Sequence, residues 1–497
     1  MNEPGCYRVS LERYPGMNRF VLDWLGGDQR FLPRKVEDRR SRLAVDPNLV
    51  DALIASNKTW SLDVEADLRR WAAGETQTII AGQQVGFAGG PLYTIAKIAS
   101  LLKMKRDKPA TVFFWLATED HDYAEVATLA IPNRDEHRQR DLTYLRASNG
   151  DSRKVVGRLP VPESLVTQLM SALGMSSRPK WLRPGITFRD SFAELIAETL
   201  GGGFVLIDAL LPELRRAGAP VFDAIRSRWN EVQNAIARRS GELQRAGYTP
   251  QVVPPRPGEQ YTLLYTINSS GERELIQDPN HIGAAESIST SALTRPLLQD
   301  FVLRPDVFIG GPAEVAYYAQ IAPLHELLDV SMPRVALRGH VLVAPRKVIR
   351  YLSRFDIAPE EVFESAEQIA AAHTERVDEV KRIADDAESQ LKQQIEKIRA
   401  LSLPADHAVA RSINRSIGHI EYHFGKLAER ATRGMVRKDR DRFNAARELA
   451  STFYPDQRVQ DRIVGWFPWW CEYREQLIDR LVDEVEPDTS TFKLVSL

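Results

Sequence analysis

The sequence predicts an α/β core of the doubly wound kind, followed by a long antiparallel helical hairpin. Three observations predict it. Apolar segments of strand length recur, and two of them run into glycine turns that open helices. Two others end in acidic residues, at the edge where open α/β sheets bind ligands. From Glu360 to Leu401 proline and glycine disappear and apolar residues fall three or four apart.

The first unit begins in "TQTIIAGQQ", a buried strand running into a turn. Pro91 then opens a helix whose apolar residues Leu92, Ile95, Ile98, Leu101 and Leu102 share one face. A second strand, Thr111 to Ala117, leads into "TEDHD", which completes a strand–helix–strand unit. "GGGFVLIDA", Gly201 to Ala209, is a further buried strand ending in Asp208. "RPDVFIGGPAEVAYYAQ", Arg304 to Gln320, repeats the order of strand, glycines, proline and helix, and "MPRVALR" reads as the next strand. Two stretches fit this scheme poorly. Residues 135–190 are polar, basic and irregular, and residues 248–300 begin as short strands with Pro-rich turns; both are expected to be insertions on a core spanning 1–358. Residues 359–450 carry the heptad seam. It runs through Val377, Val380, Ala384, Ala387, Leu391, Ile395 and Ile398, then from Val409 through Ile413, Ile417, Ile420, Phe424 and Leu427 to Ala431. "SLPADH" between the two halves is a turn, so the halves form a hairpin with apolar surface left over for a second copy or for the core. Residues 451–497 are expected to pack back on the core or the hairpin, their tryptophans serving as core.

Composition narrows the function classes. The 497 residues carry 66 Lys and Arg against 67 Asp and Glu, a net charge of -1 that gives no basic footprint for nucleic acid. The two cysteines, Cys6 and Cys471, build neither a disulfide framework nor a CxxC metal site. No apolar run reaches the roughly 20 residues of a membrane span, and the first residues lack a signal-peptide core. A cytoplasmic protein is expected.

Three constellations carry chemistry. In the first, Gly82, Gly86, Gly89 and Gly90 allow close backbone approach, and the helix after them offers unpaired N–H groups to an anion. Gln83 and Gln84 stand where a phosphate loop would carry lysine, and suit a carboxylate, an amide or a hydroxyl; Thr94 and Lys97 lie on the first turns of that helix. The pattern is neither a Walker loop nor GxGxxG. The second is Glu119, Asp120, His121, Asp122 and Glu125, where a carboxylate beside His121 suits a general base. An acid–imidazole cluster also suits a divalent cation, so a metal-dependent hydrolase built on Glu119–Asp122 is a competing reading. The third joins Gly310, Gly311, Glu314, Tyr317 and Tyr318 with Arg295, a candidate carboxylate clamp. If the two glycine turns follow neighbouring strands, they converge on one crevice. A third reading is a nucleotide-binding scaffold whose coiled coil does the work.

"AGQQVGFAGGPLYTIAKI", "FFWLATEDHDYAEV", "TRPLLQD" and "FIGGPAEVAYYAQ" resemble, in content and order, the signature blocks of the bacillithiol biosynthesis cysteine-adding enzymes, the cysteine ligase BshC family. The resemblance covers nearly the whole chain. It implies a Rossmann-like core of nucleotidylyltransferase type with connecting insertions, and a C-terminal coiled coil that makes a homodimer. It implies a ligase that adds cysteine to glucosaminyl-malate through an amide in the last step of bacillithiol biosynthesis. ATP or another adenine nucleotide, with an accompanying Mg ion, is a cofactor suggested by the fold relationship. On this reading His121, steered by Asp120 or Asp122, takes the proton from the glucosamine ammonium. Gln83, Gln84, Gly90, Thr94, Lys97, Glu119, Arg295, Glu314 and Tyr318 bind the substrates. No resident metal site is expected.

Overall fold

A computed structural model describes residues 5–34, 45–106, 108–133, 142–147, 153–253, 263–280, 283–374, 377–402 and 407–497. Contacts divide the chain into two units: Arg8–Val343 with Arg458–Val495 and Leu497, and Ala344–Gln457 with residues 1–7 and Ser496.

The first unit is built on a five-stranded parallel sheet of β2 (Gln77–Gln83), β3 (Ala110–Leu116), β6 (Val205–Asp208), β10 (Val307–Gly310) and β11 (Arg334–Leu337), in the order β11-β10-β2-β3-β6. A parallel sheet is covered on both faces, and its strands are accordingly mostly apolar. All seven residues of β3 are buried, as are all four of β6 and of β10. The chain moves from β2 to β3 to β6 in one direction, then returns to the other side of β2 for β10 and β11. The direction of winding therefore reverses between β2 and β10, which pair directly, Val307 opposite Ile79 and Phe308 opposite Ile80. Such a reversal opens a crevice at the carboxyl ends of the strands. Both glycine turns lie at this crevice.

Three smaller sheets decorate the unit. β1 (Cys6–Ser10), β12 (His340–Ala344) and β13 (Thr491–Ser496) form one, ordered β1-β13-β12. β4 (Thr128–Pro132) and β5 (Leu142–Arg146) form an antiparallel pair, and β7 (Leu264–Ile267), β8 (Arg273–Leu275) and β9 (Ile288–Thr290) form the third, ordered β8-β7-β9. The stretch 135–190, irregular by sequence, contains the helix Glu163–Leu173, and a second helix, Phe188–Leu200, starts at its end. Prolines conceal them: Pro162 stands as the N-cap of one, and the other starts only four residues after Pro184. Residues 134–141 and 148–152 of that stretch, and 254–262 and 281–282 of the other, lie outside the described residues.

The segment Arg458–Val495 belongs with the sheet unit. Its Trp466 is fully buried and donates from Nε1 to the Gly89 carbonyl at 3.0 Å. Gly89 has φ +84°, and a Cβ there would stand 2.3 Å from that indole nitrogen, so only glycine lets the turn lie against the ring.

In the second unit the helices Val377–Ser402 and His407–Lys438 pack on each other, with Lys392 of one 3.2 Å from Glu421 of the other. At 1.5 Å per residue, helices of 26 and 32 residues span about 39 and 48 Å. Of the seam residues, Leu391, Ile395, Ile413, Ile417 and Phe424 are half-buried, whereas Ile398 and Leu427 are exposed. Residues 403–406, in the turn read from "SLPADH", lie outside the described residues.

Gly89→Ala is expected to lower the unfolding free energy by about 1–3 kcal/mol through overpacking against Trp466, before any backbone strain is added. Urea denaturation of the full chain measures this, and an unchanged midpoint would contradict the packing described.

Candidate functional site

A cavity of about 1060 Å³ occupies the crevice between β2 and β10. It is large for a single small ligand and has room for two. Its walls are the turn after β2, the turn after β3, the start of the helix that follows β10, parts of the β7–β9 sheet, and the segment Arg458–Ile463. The two glycine turns and the acidic turn thus converge, as expected if their strands are neighbours.

The first turn spends most of its polar groups on itself. Lys97, 3% exposed, donates to the Gly82 carbonyl at 2.8 Å and to Gln83 Oε1 at 2.9 Å, and pairs with Glu314. Burial pushes its ammonium down, and the Glu314 carboxylate opposes that shift. Gln83 Nε2 donates to the Tyr93 hydroxyl at 3.1 Å. Two polar atoms in the turn keep no partner: Gln84 Oε1 and Thr94 Oγ1 are both buried and unbonded, although they line the cavity. Buried orphan atoms of this kind are costly unless a ligand or water meets them. Gly90, at φ +71°, leaves the backbone beside Thr94 uncovered.

These arrangements do not fit a triphosphate at the glycine turns. The lysine is committed to three acceptors. The Leu92 N–H, at the head of the helix Leu92–Lys105, donates to the Val464 carbonyl at 2.8 Å. The Gly311 N–H donates to Glu314 Oε2 at 2.7 Å.

The acidic turn separates its members. Glu119 points away from solvent: its oxygens accept from Arg215 at 2.9 Å, from the Ser289 hydroxyl at 2.8 Å, and from the N–H and hydroxyl of Thr290 at 2.9 and 2.7 Å. Burial works against its charge, yet Arg215, Arg273 and the Thr290 bonds outweigh it and hold the carboxyl below its ordinary range. Asp122 caps the short helix Tyr123–Val126, accepting from the Glu125 N–H at 2.9 Å, and is not a wall residue. Asp120 does reach the cavity. It accepts from Gln84 Nε2 and, at 2.7 Å, from the His121 N–H. Burial opposes its ionisation, but the His121 ring and N–H, Arg273 and the Gln84 amide bring it down to about 2.

His121 is oriented by Arg273 rather than by a carboxylate. The guanidinium approaches Nδ1 at 3.0 Å, while Asp120 Oδ1 lies 3.3 Å from the same nitrogen. A guanidinium only donates, so with Arg273 as its partner Nδ1 of the neutral ring accepts and the ring proton sits on Nε2; a proton on Nδ1 would be directed at Asp120 instead. Arg273 is itself fixed, donating to Ser289 Oγ at 3.0 Å and to the Thr290 carbonyl, and stacking 3.9 Å from the Tyr265 ring centroid. Glu125, beyond the cap, lines the cavity and shows no hydrogen-bond or ion-pair partner among the described residues. The residue is exposed on the side that faces the cavity. Partial desolvation of its carboxyl, with Asp122 and Asp120 nearby, raises it to about 7, with Lys97 opposing.

The third wall is cationic. Arg295 donates to Gln299 Oε1 at 3.0 Å and to the Tyr317 hydroxyl at 2.5 Å. Tyr317 lines the cavity, whereas Tyr318 is fully buried, its hydroxyl 3.1 Å from Asp300, which His325 also contacts at 2.9 Å. Tyr318 therefore supports the wall from behind and does not meet a ligand. Arg338 is held by Asp461 at 2.8 Å. Arg458 and Arg462 also line the cavity, and neither has a carboxylate or hydrogen-bond partner among the described residues. Arg273, Arg338, Arg458 and Arg462 escape the sequence reading. Arg338 follows a strand end in "MPRVALR", a usable signal, but "DQRVQDR" carries nothing that places it at a cavity.

The metal-hydrolase reading fails on this geometry, since Glu119 and Asp122 turn away from His121 and do not converge with it. Among the described residues no group of three or more His, Cys, Asp or Glu is placed to hold a metal.

Residues 28–284 and 281–339 match the family model described as "Bacillithiol biosynthesis BshC, N-terminal Rossmann-like domain", and residues 341–497 match "Bacillithiol biosynthesis BshC, C-terminal coiled-coil domain". The chain belongs to the BshC family. Relatives named "Putative cysteine ligase BshC" include one from Koribacter versatilis, 30% identical over 89% of this chain and 87% of its own length. Others come from Solibacter usitatus, 27% identical over 89% of each chain, and Exiguobacterium sibiricum, 26% identical over 87% of each. The cavity of this BshC family member draws on both matched regions, because Arg458 and Arg462 lie in the second.

Glu119→Ala is expected to destabilise the fold by about 3–5 kcal/mol, since it leaves Arg215 buried and unpaired. Replacing both Glu119 and Arg215 by leucine should cost less than the single change. Urea denaturation of the full chain measures both, and a Glu119→Ala protein of wild-type stability would contradict the anchoring role.

Proposed function

We propose that this chain joins the carboxyl group of cysteine to the amine of glucosaminyl-malate, forming an amide, as a ligase of bacillithiol biosynthesis. One observation carries the reading beyond family membership. The cavity sets unpaired guanidiniums, Arg458 and Arg462, together with Arg295 and Arg338, in the same space as the carboxylates of Asp120 and Glu125. A substrate that carries both a dicarboxylate and an amine matches that mixture of charges. Gln84 and Thr94 offer their unpaired oxygens to hydroxyls or an ammonium.

Amide formation from a free carboxylate and an amine is uphill in water, so cysteine must carry a leaving group. An adenine nucleotide, with or without Mg, would supply such a group, and no residue of the glycine turns is assigned to it. The chain's own contribution is positioning. Holding two reactants in one cavity lowers the barrier by up to about 7–11 kcal/mol when the geometry is productive. Arg458 and Arg462 would neutralise the malate carboxylates and fix the register of the sugar.

Homodimerisation through the hairpin is part of the same proposal. It is supported by the exposed Ile383, Ile398, Leu401, Tyr422 and Leu427 on the two long helices. No helix among the described residues is long and apolar enough to cross a membrane.

Mass spectrometry of the mixture of cysteine and glucosaminyl-malate, with and without ATP, tests the reaction. The condensed thiol is expected, and its absence under both conditions from folded protein would overturn the reading. Arg462→Ala should raise KM for glucosaminyl-malate about 10–100-fold, as for loss of a charge-assisted contact of roughly 1.5–3 kcal/mol, with little change in kcat.

A further inference from the structure

The ligase reading needs a group that removes a proton from the substrate ammonium, since only the neutral amine has a lone pair to attack a carbonyl carbon. Five carboxylates and one imidazole belong to the cavity or its rim. Four of the carboxylates are committed. Glu119 is surrounded by Arg215, Ser289 and Thr290. Glu314 is held by Lys97 and the Gly311 N–H. Asp122 caps a helix, and Asp120 receives the His121 N–H and the Gln84 amide.

The imidazole is committed as well. Its Nδ1 lone pair faces the Arg273 guanidinium at 3.0 Å, and a proton added there would meet a cationic donor head-on. Nε2 already carries the ring proton in that tautomer, so His121 presents a donor to the cavity. Arg273 is held by Ser289, Thr290 and Tyr265, and this arrangement is built into the β7–β9 sheet.

Glu125 remains. It lines the cavity and has no partner among the described residues. It follows directly from the capped turn, so its backbone is fixed by Asp122. The charged and titratable groups around it are Asp120 and Asp122 on the preceding turn, and Lys97 and Tyr93 on the helix Leu92–Lys105. Lys97 is already neutralised by Glu314, so the field at Glu125 is dominated by carboxylates.

We propose that Glu125 is the proton acceptor of this site, and that His121, positioned by Arg273, serves as a hydrogen-bond donor from Nε2. The assignment rests on the ligase reading. In the step, an N–H bond of the ammonium breaks and its electron pair stays on nitrogen. The proton forms an O–H bond on the Glu125 carboxylate. The amine then attacks the activated carbonyl carbon of cysteine; as the C–N bond forms, the bond from that carbon to its leaving group breaks, the leaving group departs with the electron pair, and the remaining surplus proton on nitrogen passes to it or to solvent. Because Glu125 opens to the cavity, the proton leaves to solvent before the next turnover. A carboxylate drawn up to about 7 by partial desolvation and by its acidic neighbours is matched to this task. It acts when ionised, so its contribution to kcat/KM is full above pH 7 and is lost as pH falls through 7, far above the range of an ordinary glutamate.

The test combines kinetics with a direct titration, on the full chain. Product formation is followed against pH for wild type, Glu125→Gln, Glu125→Asp and His121→Ala. Side-chain carboxyl 13C NMR of the substrate-free protein follows Glu125, which is identified by the resonance missing in Glu125→Gln. The expected result is a loss of about 10²–10⁴-fold in kcat for Glu125→Gln, a smaller loss for Glu125→Asp, and a carboxyl midpoint near 7 in wild type. His121→Ala should be slower but should keep the limb near pH 7. Wild-type turnover with near-normal rates in Glu125→Gln, or a Glu125 midpoint in the ordinary carboxylate range, would overturn this assignment alone. No product from wild type would overturn the ligase reading, and this assignment with it.

Discussion

The ion pair between Glu119 and Arg215 lies out of water, where a lone charge is severely penalised. It persists because Glu119 receives four donors at once, from Arg215, Ser289 and both donors of Thr290. That single carboxylate fastens the turn after β3 to the last strand of the β7–β9 sheet. Everything on the acidic side of the cavity inherits its position from this knot. Asp120 and His121 are the next two residues in the chain, and Arg273 reaches His121 from β8 because β7 joins β8 to β9.

The knot also bears on the charge that the cavity presents to a ligand. Glu119 has its charge cancelled in place and adds nothing to the field a ligand meets. Lys97 and Glu314 likewise cancel each other at the floor. What remains uncompensated is cationic at Arg458 and Arg462 and anionic at Glu125, since Asp120 has Arg273 beside it at 3.7 Å. A residue's place in the wall is therefore a poor guide to its role, and the hydrogen bonds it has already made are a better one. On those bonds the proposed base is Glu125, four residues after His121.

The sheet was legible because parallel strands are buried on both faces and read as unbroken apolar runs, as in "ATVFFWL" and "VLID". The convergence of the two glycine turns was also legible, as a condition on strand order that the pairing of β10 with β2 satisfies. Pairing inside the site was not. Nothing in "AGQQVG" says that Gln83 is tied to Lys97 and Tyr93 while Gln84 keeps an unpaired oxygen, since both depend on the helix that follows. Tyr317 and Tyr318 are adjacent, and only the direction of each ring distinguishes wall from support. Arg458 and Arg462 come from a segment more than 100 residues beyond the sheet, so no local pattern announces them. The helices within 135–200 were hidden by the prolines around them, which mark their starts.

On the proposed function, the crevice between β2 and β10 binds its acceptor substrate in one direction, with anions toward Arg458 and Arg462 and the amine toward Glu125. A crystal structure of the full chain with glucosaminyl-malate tests this most directly. Malate carboxylates are expected within hydrogen-bond distance of Arg458 or Arg462, and the glucosamine nitrogen beside Glu125. A ligand bound in the opposite direction, or outside this crevice altogether, would contradict it.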